Sequence, residues 1–73
     1  MNRIRAERFK SGLSTEKVAD LLGVHANSVR GWENGSYEPS GRNLVQLSTL
    51  FGCSPDYLLE MTDDRNERVK SIV

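Results

Sequence analysis

Little in these 73 residues would support a metal, a covalent staple or a membrane. A single cysteine, Cys53, excludes an internal disulfide and any cysteine-rich metal site, and it suits a reducing cytoplasm. Beside a helix terminus it reads as a small apolar residue. A single histidine, His25, leaves nothing from which to build a zinc centre. No apolar run approaches the length of a membrane span, and no signal peptide, repeat or low-complexity segment is read, so no membrane partner is expected. No stretch of alternating β-branched residues makes a strand. There is no nucleophile–base constellation, no glycine-rich phosphate loop and no room for an ordinary substrate cleft. Neither an enzyme, nor a cofactor, nor a small-molecule ligand is therefore expected.

What remains is helical. Residues 2–11 form a first helix, stopped at Gly12. Thr15 to Leu22 form a second: Val18, Ala19 and Leu22 share one face, Ser14 precedes as an N-cap and Gly23 follows as a left-handed stop. A third, over 26–33, places Val29 and Trp32 on its buried side and ends at Asn34-Gly35. Trp32 lies three residues after Val29, so it belongs to the core and not to a base-stacking surface. Ser40 caps a fourth helix with Leu44, Leu47, Leu50 and Phe51 as its stripe and Gly52 as its stop. Ser54-Pro55-Asp56 opens a fifth carrying Tyr57, Leu58 and Leu59. Thr62-Asp63-Asp64 could cap a short sixth helix or begin a tail, so the chain divides into a domain over 1–61 and a terminal segment over 62–73.

Two short helices around a Gly-centred turn are the signature of a helix-turn-helix, whose second helix enters a DNA major groove. The zero net charge counts mildly against such a partner. The distribution softens this: residues 1–33 hold six basic and four acidic side chains, and residues 34–73 hold four basic and six acidic.

Gly12-Leu13-Ser14, Val18-Ala19, Gly23-Val24, Trp32-Glu33-Asn34-Gly35, Glu38-Pro39-Ser40, Leu44, Leu47 and Ser54-Pro55-Asp56-Tyr57-Leu58-Leu59 together resemble the lambda-repressor/Cro-like helix-turn-helix family. The resemblance runs from about Ile4 to Leu59. It implies an all-α, five-helix domain and a transcriptional regulator in the repressor role, bacterial or phage-encoded. Such a protein reads a palindromic operator in double-stranded DNA through helix 26–33. Two other readings share the fold: an antitoxin-like protein that binds a protein partner and represses its own promoter, and an interaction module that does not read DNA.

Carried over position by position, the family's base-reading residues fall on Ala26, Asn27, Ser28, Arg30 and Gly31. The chemistry is compatible: Asn27 can pair with adenine, Arg30 with guanine or a phosphate, and Ala26 can touch a thymine methyl. By the same resemblance Thr15, Asn34, Ser36 and Tyr37, with Arg42 nearby, meet phosphates. The resemblance also implies that Arg8 and Glu33 form a structural ion pair tying the first helix to the end of the third.

The sequence also departs from the family. Thr15 stands where glutamine is common, and Ser36-Tyr37-Glu38 replaces a commonly basic loop, which implies weaker, less salt-dependent binding. Glu7 occupies a usually apolar position and Phe9 a usually polar one. Family members act as two-fold pairs. The expected dimer surface lies within 51–73, where Tyr57, Leu58, Met61, Val69, Ile72 and Val73 exceed the needs of a small core.

Overall fold

Five helices follow one another: α1 (Ile4–Lys10), α2 (Thr15–Leu22), α3 (Ala26–Asn34), α4 (Gly41–Phe51) and α5 (Pro55–Leu58). The structure is a computed structural model and describes residues 2–67. Among the described residues there is no strand.

Local chemistry sets most helix ends. The Ser14 hydroxyl accepts the Lys17 N–H at 3.0 Å, the Ser40 hydroxyl that of Asn43 at 3.2 Å and the Ser54 hydroxyl that of Tyr57 at 3.1 Å. Each such cap contributes about 1 kcal/mol. Gly23 closes α2 at φ 73°, a conformation that would strain any side chain, and lets the chain turn directly into α3. His25 takes the N-cap position of α3 without a side-chain capping hydrogen bond.

α1 begins two residues later than its sequence pattern suggests. Asn2 and Arg3 are engaged elsewhere: the Asn2 amide donates to the Trp32 carbonyl at 2.8 Å and the Arg3 N–H to that of Leu58 at 2.9 Å. Arg3 is the N-cap: its backbone is non-helical at φ −100° and ψ 12°, while its carbonyl accepts the Glu7 N–H at 3.0 Å and so starts the helix.

The helices close around Ile4, Val18, Val29, Leu47 and Leu58, all without solvent exposure, with Trp32, Phe51 and Cys53 completing the core. Leu58 corrects one expectation. Expected on a dimer surface, it is a core residue, and its full burial contributes about 1.5–3 kcal/mol to the monomer's fold. Tyr57 is likewise engaged within the chain, with the Arg3 guanidinium 4.1 Å and that of Arg65 5.5 Å from its ring centroid. Of the described residues expected to form the dimer surface, Met61 is the exposed one. Val69, Ile72 and Val73 lie outside the described residues.

Glu7 is buried, and Arg65 accounts for it. The Arg65 guanidinium donates to Glu7 Oε1 at 2.5 Å and to the Phe51 carbonyl at 3.0 Å, while Lys10 lies 3.3 Å from the other carboxylate oxygen. Burial pushes the Glu7 carboxyl up. The bonds from Arg65 and Lys10 outweigh it and leave the group below its ordinary value. Phe9, two residues on, faces solvent with the Arg8 and Arg5 guanidinium groups over its ring. Burial and the nearby Glu7 charge raise the Cys53 thiol, so it stays protonated and unreactive.

Residues 62–67 form turns and bends, not the start of a sixth helix. Arg65 explains this locally: its carbonyl accepts the Ser54 N–H at 2.6 Å while its side chain reaches α1 and the end of α4. The rest of the expected helix, 68–73, lies outside the described residues.

Candidate nucleic-acid interface

α2 and α3 pack on each other through Val18, Ala19, Leu22, Val29 and Trp32, leaving the opposite side of α3 facing outward. Asn27 and Arg30 are exposed there, while Ala26 and Ser28 are half-buried and Ala26 packs against the core. Asn27 and Arg30 are not independent. Arg30 donates to Asn27 Oδ1 at 3.1 Å and pairs with Glu16 on the first turn of α2. The Glu16 carboxyl lies below its ordinary value, first through its own backbone N–H and also through the Arg30 charge. The outward face is thus a linked Glu16–Arg30–Asn27 chain.

Gly31, one of the expected base-reading positions, is buried, and the Tyr37 ring lies over it. The Tyr37 hydroxyl donates to the Asn27 carbonyl at 3.0 Å, and the Ser36 N–H donates to the Gly31 carbonyl at 3.0 Å. Tyr37, which the resemblance puts against phosphate, folds across α3.

Beside this face, Arg5, Arg8, Thr15, Arg30, Glu33 and Asn34 line one shallow depression. Thr15 sits at the start of α2, half-buried, and Asn34 at the end of α3, where its side-chain oxygen accepts the Ser36 N–H at 2.9 Å. Ser36 and Arg42 are exposed, Arg42 on the first turn of α4.

The floor of the depression is the Arg8–Glu33 pair. Arg8 Nε donates to Glu33 Oε2 at 2.6 Å and Nη2 to Oε1 at 3.1 Å, with Nη1 on the Leu13 carbonyl at 3.0 Å. The two side chains are only 10% and 8% exposed. The Glu33 hydrogen bonds hold the Arg8 guanidinium above its ordinary value against the burial that opposes it. The fork therefore joins α1, the α1–α2 turn and the end of α3 through three hydrogen bonds.

Sequence reasoning missed Arg5 in this depression, Glu16 as the partner of Arg30, and the Tyr37–Gly31 contact. Some signals were present. Glu16 is an acid in the first turn of the helix facing α3, and Gly31 leaves a gap four residues after Asn27 that a nearby aromatic can fill.

Among the described residues, Arg5, Lys17 and Arg42 make no ion pair with another described residue, whereas Arg3, Arg8, Lys10, Arg30 and Arg65 do. The described residues hold no group of acids, histidines or cysteines suited to a metal ion, and no helix long and apolar enough to cross a membrane.

A helix-turn-helix family profile matches residues 4–58. The chain is 41% identical over 58 residues to repressor protein C2 of Salmonella phage P22, covering 80% of this chain and 27% of that protein. It is 36% identical over 63 residues to the HTH-type transcriptional regulator DicA of Escherichia coli strain K12, covering 86% and 47%. Among solved structures, the P22 c2 repressor in complex with synthetic operator 9T in the presence of Tl+ superposes with a TM-score of 0.73. That match has 41% identity and covers 77% of this chain and 85% of that one. The chain thus spans less than half the length of either of these two curated relatives.

Proposed function

The chain belongs to the lambda-repressor/Cro-like helix-turn-helix family, and from that premise we propose that it is a transcriptional regulator, in the repressor role, that reads an operator in double-stranded DNA through α3. The observation that carries this reading is the division of α3: Val29 and Trp32 are buried while Asn27 and Arg30, both able to pair with base edges, face outward. Asn27 would bond adenine, Arg30 guanine, and Ala26 and Ser28 would line the groove beside them. Arg5, Thr15 and Asn34 line the depression beside this face, and with Ser36 and Arg42 they would meet phosphate oxygens. No catalytic step, cofactor or metal enters this function, and it belongs in the cytoplasm of a bacterial cell.

Two copies act together. α3 has nine residues, about 13 Å of helix, which spans about four base pairs and holds too little information for a unique site. A symmetric pair of copies doubles the site.

The test is selection of duplexes from a random library, followed by titration of the recovered sequence across salt concentrations. Recovery of two inverted half-sites about one helical turn apart is expected. Counting the described cations Arg5, Lys17 and Arg42, which make no ion pair with another described residue, two copies neutralise about six phosphates, so log K should fall with log salt at a slope of about −5. A half-site bound as tightly as the full palindrome would remove the paired arrangement. Recovery of no preferred sequence would remove the function.

A further inference from the structure

Gly31 and Tyr37 make one surface. Gly31 follows Asn27 by four residues, so the two lie on the same outward strip of α3. A Cβ at position 31 would stand 2.3 Å from Tyr37 Cζ and 2.6 Å from both Cε1 and the hydroxyl oxygen. The ring thus occupies the volume a side chain at 31 would fill. Its hydroxyl is anchored on the Asn27 carbonyl at 3.0 Å, yet Tyr37 remains 51% exposed. An aromatic ring supplied from outside the helix covers the strip between positions 27 and 31.

Building on the DNA-reading function above, we propose that Tyr37 is a specificity-determining residue that contacts a base. Its ring stands in for the side chain absent at position 31 and selects thymine through the 5-methyl group. The chemistry argues against a phosphate contact. A phosphate oxygen needs a donor, and the Tyr37 hydroxyl proton is already given to the Asn27 carbonyl. What the ring offers is exposed apolar edge, and the apolar group a major groove presents is the thymine methyl. Bonds at both ends of the residue hold the ring in place before DNA arrives, the hydroxyl on Asn27 and the Tyr37 N–H on the Gly31 carbonyl at 3.4 Å. Little side-chain freedom is then lost on binding.

Uracil substitution isolates the methyl. The duplex recovered from a random library by the wild-type chain is remade with each thymine replaced in turn by uracil, and affinity is measured at one salt concentration. At one position in each half-site, loss of the methyl should weaken wild-type binding about fourfold, as expected for one buried methyl group. Tyr37→Ala should abolish the penalty at that position and keep those elsewhere. Tyr37→Phe, which retains the ring, should preserve it. Gly31→Ala pushes the ring aside without touching Tyr37 chemically, and it should abolish the penalty as Tyr37→Ala does. Melting curves identify any variant that fails to fold, and the Gly31 and Tyr37 variants stand in for each other.

Uracil penalties unchanged in Tyr37→Ala and Gly31→Ala would overturn the assignment and leave DNA reading intact. Equal weakening by Tyr37→Ala on recovered and unrelated duplexes would make Tyr37 a backbone contact and overturn it too. Failure to recover any preferred duplex would instead bring down the function on which the assignment rests.

Discussion

Arg8→Ala is expected to cost about 3 kcal/mol of folding stability, which in a domain of this size lowers the melting temperature by roughly 12–24 °C. The partner left behind sets the magnitude. Glu33 is only 8% exposed and receives two of its hydrogen bonds from Arg8, so truncation strands a nearly buried carboxylate. It also frees the Leu13 carbonyl at the α1–α2 turn. The lower end of the range for buried pairs applies, because both side chains keep an edge in water. Thermal melts followed by circular dichroism check this directly. A loss under about 1 kcal/mol would rank the pair with ordinary surface salt bridges, and a stable variant that bound DNA poorly would make Arg8 a phosphate contact.

Asn27→Ala is expected to weaken binding to the recovered operator by about 1–3 kcal/mol, roughly 5- to 150-fold, with binding to unrelated duplexes nearly unchanged. The Asn27 side chain is exposed, and its oxygen accepts one hydrogen bond from Arg30. A second lone pair and the amide donors remain for a base edge, so adenine can be read without dismantling the Glu16–Arg30 link. Competition titrations with specific and unrelated duplexes measure the difference. Equal losses on both would mean that Asn27 shapes the helix and does not read it.

The features legible in the sequence were those written within a few residues. α2 runs over Thr15–Leu22 as its pattern indicates, because Ser14 and Gly23 mark its ends by side-chain acceptance and left-handed backbone. α4 and α5 follow from Ser40, Gly52 and Ser54-Pro55 in the same way. The spacing of Val29 and Trp32 told which side of α3 is buried. The illegible features depend on partners distant in the chain. Glu7 looked misplaced at an apolar position, and nothing near it announces Arg65, 58 residues away. Leu58 looked surplus because periodicity shows that a residue is apolar but not which surface buries it. Tyr37 covers Gly31 through a loop conformation that residue types alone do not specify. The candidate site was therefore legible as a helix face, while the bonds that link Glu16, Arg30, Asn27 and Tyr37 across it needed the packed structure.

If the outward face of α3 meets DNA, amide NMR of the 15N-labelled chain titrated with its recovered duplex will show it. The largest shift changes are expected at 14–17, 26–31 and 36–37, with the exposed apolar side carrying Leu21 and Val45 nearly silent. Changes concentrated around Leu21, Val45 and Leu50, with 26–31 unmoved, would contradict it.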